Sequence, residues 1–163
     1  MNATTPLHIV CPHCHTTNRV AQTDMAGAPD CGNCHRPLFS GHPVALNEQA
    51  FDKHIGRNQI PVLVDFWAPW CGPCRGFAPV YDAASEKHEN IVFSKVNTQD
   101  EQALAGHFQI RSIPTLMIFR EKVIIYSQPG AMQASQLDEL IAQASGLDMA
   151  QVHAEIAAEA EKS

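Results

Sequence analysis

Six cysteines in this 163-residue chain form three Cys-x-x-Cys pairs: Cys11/Cys14, Cys31/Cys34 and Cys71/Cys74. Two thiols at that spacing can grip a metal ion, or they can open and close a disulfide. The flanking residues separate these two chemistries.

Cys11-Pro-His-Cys14 and Cys31-Gly-Asn-Cys34 are separated by sixteen residues, which fits the spacing of a four-cysteine zinc site. Each pair makes one tight knuckle, and four thiolates complete a tetrahedral shell. The expectation is one structural zinc held by Cys11, Cys14, Cys31 and Cys34. Tetrahedral sulfur also suits iron. Cys11-Pro-His-Cys14 has a second reading as an oxidising redox pair. The poor helix expected after it, His15-Thr-Thr-Asn-Arg19, and the matching pair downstream speak against that. His13, His15 and His35 are further ligands on paper, but four cysteines already fill the shell.

Trp70-Cys71-Gly72-Pro73-Cys74 has other surroundings. It follows the apolar run Val62 to Ala68 and opens a long helical pattern. Helix N-termini offer unpaired N–H groups and a positive dipole end, which stabilise a thiolate. Cys71 is expected at the exposed helix tip as the nucleophile. Cys74 is expected one turn further in, as the thiol that resolves the mixed disulfide. Pro73 suits a first helical turn because its missing N–H would have been unpaired there. Gly72 lets a partner chain approach. Cys74 needs a proton acceptor, and Asp65, a charge in an otherwise apolar strand, is the candidate. Burial should raise its pKa into a useful range.

The elements that must position these groups alternate in type. Val44 to Leu46, Val62 to Ala68 and Ile91 to Asn97 read as strands. Thr115 to Arg120 and Val123 to Ser127 read as a hairpin closed by Glu121-Lys122, a turn without Gly or Asn whose type is uncertain. Helices are expected from Asn47 to a stop at Gly56, from Cys71 through Pro79 with Phe77, Val80, Tyr81 and Ala84 on one stripe, over Asp100 to Phe108, and from a capping box at Ser135 and Asp138 to Gly146. The order β-α-β-α-β-α-β-β-α implies an α/β fold, a mixed central sheet with helices on both faces. Residues 1–42 read as a separate module too small to bury a core without a staple, residues 43–146 as the main domain, and residues 147–163 as a helical extension with a thin apolar stripe.

Val62-Leu-Val-Asp-Phe-Trp-Ala-Pro-Trp-Cys-Gly-Pro-Cys74 resembles the active-site segment of thioredoxins. Further matches follow in order. Ser94-Lys-Val-Asn97 resembles the family's next strand, with Lys95 as the neighbour of the buried aspartate. Ile110-Arg-Ser-Ile-Pro-Thr115 resembles its cis-proline loop, with Pro114 as that proline. Gly130 matches the glycine of its substrate groove. The resemblance, over residues 43–146, implies a thioredoxin fold and a protein-disulfide reductase. It implies a groove framed by Trp70, Ile113, Pro114, Thr115 and Gly130, in which backbone near Ile113 and Thr115 pairs with an extended client. It also implies electrons from NADPH through thioredoxin reductase. With the four-cysteine segment in front, the chain resembles the zinc-containing thioredoxin 2 type of bacterial thioredoxin.

Charge and composition narrow the partners. The net charge is −6. Asp24 and Asp30 balance Arg19 and Arg36 within residues 1–42, which weakens a nucleic-acid-binding reading of the ribbon. No apolar run approaches a membrane span. The start of the chain lacks the pattern of a secretory signal, so a cytoplasmic location is expected. No Gly-rich nucleotide fingerprint is present, so no nicotinamide or flavin is expected on the chain itself. The alternative function is a zinc-thiolate redox sensor or redox-regulated chaperone, in which oxidised ribbon thiolates release metal.

Overall fold

Alternation along one strand sets the architecture. In the computed structural model, which describes residues 5–162, strand β4 (Val62–Trp67) lies at the centre of a five-stranded sheet. Its even-numbered residues Val62, Val64 and Phe66 join one core; Leu63, and by the same parity Asp65, face the other. Strand β5 (Val92–Asn97) runs parallel to β4 with Asp65 opposite Lys95. Strands β3 (Val44–Ala45), β6 (Thr115–Arg120) and β7 (Val123–Pro129) complete the order β3-β5-β4-β6-β7, with β6 and β7 antiparallel to their neighbours. Nearly every side chain of β4 is buried, which explains its continuous apolar texture.

Helices cover both faces. Helices α1 (Glu48–Arg57) and α3 (Gln102–His107) contribute Ala50, Phe51 and Leu104 to the first core. Helices α2 (Gly72–Lys87) and α4 (Ala134–Ser145) contribute Phe77, Tyr81, Ala84, Leu137, Ile141 and Ala144 to the second. Asn47 caps α1 by accepting from the Ala50 N–H at 2.8 Å. That helix runs past Gly56 to Arg57 and ends at Asn58, because Asn58 donates to the His54 carbonyl through both its backbone and its side chain. The start of α4 also differs from expectation. The capping box is Gln133 with Gln136, not Ser135 with Asp138. Asp138 instead accepts from Lys87 and His88, both at 2.6 Å, and ties α4 to α2. The Glu121-Lys122 turn has φ values of 50° and 72°, the left-handed pair of a tight two-residue hairpin, and the register shifts at Ile118/Phe119. Helix α5 (Met149–Lys162) buries Met149 and leaves Ile156 47 % exposed.

The N-terminal segment is a two-stranded ribbon, β1 (Leu7–Val10) against β2 (Thr17–Val20), followed by a 3-10 helix over Gln22–Gly27. Ile9, Val20, Met25 and Leu38 merge with Leu46, Phe51 and Val62 in one continuous core. Polar links reinforce the contact. The buried Asn58 side chain accepts from the Val10 N–H at 2.8 Å. Gln59 exchanges two bonds with the backbone of His8, its N–H reaching the His8 carbonyl at 2.9 Å and its Oε1 accepting from the His8 N–H at 2.8 Å. The expected reading of the chain's first residues, and its last residue, fall partly outside the described residues.

Asn58→Ala leaves the buried Val10 N–H without its acceptor. The expected cost is about 1–3 kcal/mol, read as a lower midpoint in urea unfolding with an unchanged slope.

Candidate active site and metal centre

Cys71 caps the N-terminus of α2. Its sulfur accepts from the Cys74 N–H at 3.2 Å, so the helix end that would stabilise a Cys71 thiolate is already aimed at it. Pro73 lies in the first turn, where no N–H is needed. Cys71 and Cys74 are joined as a disulfide, with Cα atoms 5.2 Å apart. The sequence placed Cys71 at an exposed tip. In this closed disulfide it is only 4 % exposed, close to the 3 % of Cys74, because Ala68, Trp67 and Ile113 pack around both sulfurs.

The loop before β6 faces this disulfide. The Ile113–Pro114 bond is cis, and the Ile113 carbonyl oxygen lies 3.6 Å from Cys71 Sγ. Gly130, at φ 109°, donates its N–H to the Pro114 carbonyl at 2.8 Å and holds the end of β7 against the loop. The left-handed φ is why a glycine stands there. Thr115 is buried and donates its hydroxyl to the Ser112 carbonyl at 2.6 Å. Trp70 is 69 % exposed, beside Cys71 in the chain, and is not core packing. Trp70, Gly72, Pro73, Ile113, Pro114 and Gly130 therefore lie at one end of the molecule, where α2 begins and β6 begins.

Beneath the sulfurs, Asp65, Cys74 and Lys95 share a cavity of ≈ 80 Å³ with Trp67, Ala78, Tyr81 and Asp82. Asp65 is 4 % exposed, and its buried Oδ1 has no hydrogen-bond partner among the described residues. Burial raises its pKa to about 7, opposed by the Lys95 charge and assisted by Asp82. Lys95 Nζ lies 5.4 Å from the centroid of the Trp67 ring. Tyr81 is fully enclosed and donates its hydroxyl to the Ser94 carbonyl at 2.7 Å. Asp82 was not singled out from the sequence. The available signal is its spacing: Cys74, Ala78 and Asp82 stand at i, i+4 and i+8 on one face of α2.

The other four cysteines converge far along the chain from this pair. Their sulfurs all lie within 4.8 Å of one another, with Cys11–Cys34 and Cys14–Cys31 at 3.6 Å. A tetrahedron of Zn–S bonds of about 2.3 Å puts sulfurs about 3.8 Å apart, so the four fit zinc. The two knuckles repeat one pattern. Backbone N–H groups of His13 and Cys14 donate to Cys11 Sγ, and those of Asn33 and Cys34 donate to Cys31 Sγ. His15 and His35 follow in left-handed conformations at φ 62° and 65°. Such N–H donors compensate thiolate charge. Burial pushes the Cys11 thiol up to about 12, while hydrogen bonds from Thr16 and Asn33 draw Cys14 down to about 5. Four sulfurs this close hold their charge together only around a cation. Of the histidines weighed as alternative ligands, His15 turns away to His54, with Nδ1 and Nε2 3.2 Å apart, and His13 and His35 are exposed.

A disulfide at a helix N-terminus, facing a cis-proline loop in a mixed five-stranded sheet, defines a thiol-disulfide oxidoreductase. Comparison with known proteins agrees. Residues 42–143 match the thioredoxin family, and residues 10–36 match the family described as thioredoxin 2, N-terminal. Thioredoxin C-3 of Corynebacterium nephridii is 37 % identical over 83 % of this chain and 93 % of its own length. A putative thioredoxin 2 of Streptomyces coelicolor is 47 % identical over 70 % of this chain and 84 % of its own. Among solved structures, a mutant thioredoxin from Halobacterium salinarum superposes with a TM-score of 0.61 at 28 % identity, covering 66 % of this chain and 95 % of that one. Spinach chloroplast thioredoxin f gives 0.59 at 30 % identity, covering 66 % and 88 %. The chain belongs to the thioredoxin family, as a protein-disulfide reductase with a zinc-ribbon domain in front. No helix among the described residues is long and apolar enough to cross a membrane.

The raised pKa of Asp65 carries a stability cost with a defined sign. Its folded value of about 7 lies above the unfolded value, so between those values the folded state binds the extra proton. Stability from this group is greatest below the unfolded value and falls as pH rises through 7. Asp65→Asn is therefore expected to raise thermal stability at pH 8 by up to about 4 kcal/mol, with the gain vanishing near pH 4; calorimetry at the two pH values reads the difference.

Proposed function

We propose that Cys71 and Cys74 cycle between dithiol and disulfide to reduce client proteins, with electrons from NADPH through thioredoxin reductase, and that Asp65 is the proton acceptor for Cys74. The observation that carries this reading is the Cys71–Cys74 disulfide at the start of α2, with the Ile113 carbonyl on one side and the cavity of Asp65 on the other.

In the first step the Cys71 thiolate attacks a client disulfide. A Cys71–client bond forms, the client S–S bond breaks, and the departing sulfur leaves as a thiolate and is protonated. Cys74 then gives its proton to Asp65 and attacks Cys71 Sγ. The second client sulfur departs, and two electrons have passed from the dithiol to the client. A carboxyl group with a pKa of about 7 suits this exchange, because it is partly unprotonated at neutral pH and basic enough to accept from a thiol. Lys95 tempers the rise by placing a positive charge on the same face of the sheet. Trp70, Gly72, Pro73, Ile113, Pro114, Thr115 and Gly130 frame the groove. Backbone near Ile113 and Thr115 engages an extended client segment, which makes recognition tolerant of sequence.

In the same reading one zinc per chain sits among Cys11, Cys14, Cys31 and Cys34. Its role is structural, because four sulfurs leave no open position. The ribbon of residues 1–42 acts as a module docked on residues 43–146, with residues 147–163 as an appended helix, and the protein works in the cytoplasm without nucleic acid or membrane as partner.

Cys71→Ser is expected to abolish insulin disulfide reduction, while Cys74→Ser accumulates client mixed disulfides visible on non-reducing gels. Full turnover by Cys71→Ser would remove the catalytic assignment. Zinc removal by a chelator is expected to lower the calorimetric midpoint of the whole chain by about 5 °C or more, because ribbon and main domain share one core. A midpoint indifferent to chelation would refute the structural role.

A further inference from the structure

The cavity under the disulfide is bordered by two carboxylates, and the mechanism above uses one. Asp82 is exposed, one face of its helix below Cys74, with Ala78 between them. The cavity's volume of ≈ 80 Å³ is room for ordered water. None of the remaining lining groups is a carboxylate. Lys95 is a cation, the Trp67 indole N–H only donates, and the Tyr81 hydroxyl proton is committed to the Ser94 carbonyl.

We propose that Asp82 is a positioning residue for the resolving step: a second carboxylate at the mouth of the cavity shared by Asp65 and Cys74, acting through Asp65 on the proton that leaves Cys74. This rests on Asp65 being the acceptor. The charged and titratable groups facing Asp65 are Lys95 from β5 and Cys74, Tyr81 and Asp82 from α2; its partner on β6, Leu116, is apolar. Lys95 and Asp82 pull in opposite directions. Burial makes Asp65 a weak acid, the lysine strengthens it, and Asp82 weakens it again. The electron and proton balance is unchanged: the Cys74 proton goes to Asp65, the Cys74–Cys71 bond forms, and the client thiolate leaves.

The test mixes reduced protein with an aromatic disulfide in stopped flow. The second thiolate released reports attack by Cys74, followed from pH 5 to 9. The Asp65 carboxyl stretch is titrated in parallel by infrared difference spectroscopy. In Asp82→Asn, the carboxyl midpoint and the pH limb of the second phase are expected to move down together by about half a pH unit. Asp82→Glu should restore both. The shift should shrink at high salt, because the charge faces solvent. In an Asp65→Asn background, Asp82→Asn should change nothing further. An unmoved carboxyl midpoint in Asp82→Asn, or an equal effect with and without Asp65, overturns the proposal. If Asp65→Asn alone leaves the second phase and its pH limb intact, the acceptor reading itself fails, which is a separable outcome.

Discussion

A carboxyl group buried behind a disulfide is the constraint around which this protein is arranged. Asp65 sits in a strand whose other residues are apolar, and its parity points it toward α2 rather than toward the first core. Removing such a group from water is costly, and no hydrogen bond to Oδ1 from the described residues offsets it. The sheet tolerates the group because it can hold a proton near neutral pH and because Lys95 stands opposite it in register on β5. The same burial that weakens the fold gives the residue a pKa suited to exchange with a thiol. Under the proposed mechanism, stability is given up at the place where the Cys74 proton is taken.

The two thiol chemistries are separated by what surrounds the sulfur. Cys71 accepts one backbone N–H at a helix tip and lies against a loop carbonyl, a setting in which the helix end stabilises a thiolate. In the ribbon, Cys11 and Cys31 each accept a pair of backbone N–H groups, and all four sulfurs lie close enough together to share one cation. A bound metal neutralises thiolate charge, so identical spacing suits a reactive pair in one place and a metal clamp in the other. The clamp is joined to the main domain by a common core and by Asn58, Gln59 and the His15–His54 contact.

Much of the site was legible because its signals are local. The cysteine spacings, the apolar run before Cys71, the lone acid at Asp65 and the Ile113-Pro114 dipeptide are each read within a few residues. The misreadings have physical causes. Helix α1 overran Gly56 because Asn58 supplied a better end, and the cap of α4 falls on Gln133 because glutamines can form the same reciprocal cap as serine and glutamate. Asp138 looked like a capping residue and serves instead as a bridge to Lys87 and His88, 51 and 50 residues away in sequence. The accessibility of Cys71 was overestimated because Ile113, which helps cover it, arrives from 42 residues downstream.

Local chemistry written along the chain was enough to determine the α/β order, the three cysteine pairs, their division into clamp and redox centre, and the acid that accompanies the latter. Tertiary structure alone decided which groups meet: the ribbon's union with the first core, the cavity that brings Asp82 toward Asp65, and the fit of four sulfurs to one ion. Periodicity and spacing act over one or two turns of chain. Shared burial and through-space charge depend on distances set only when sheet and helices have packed.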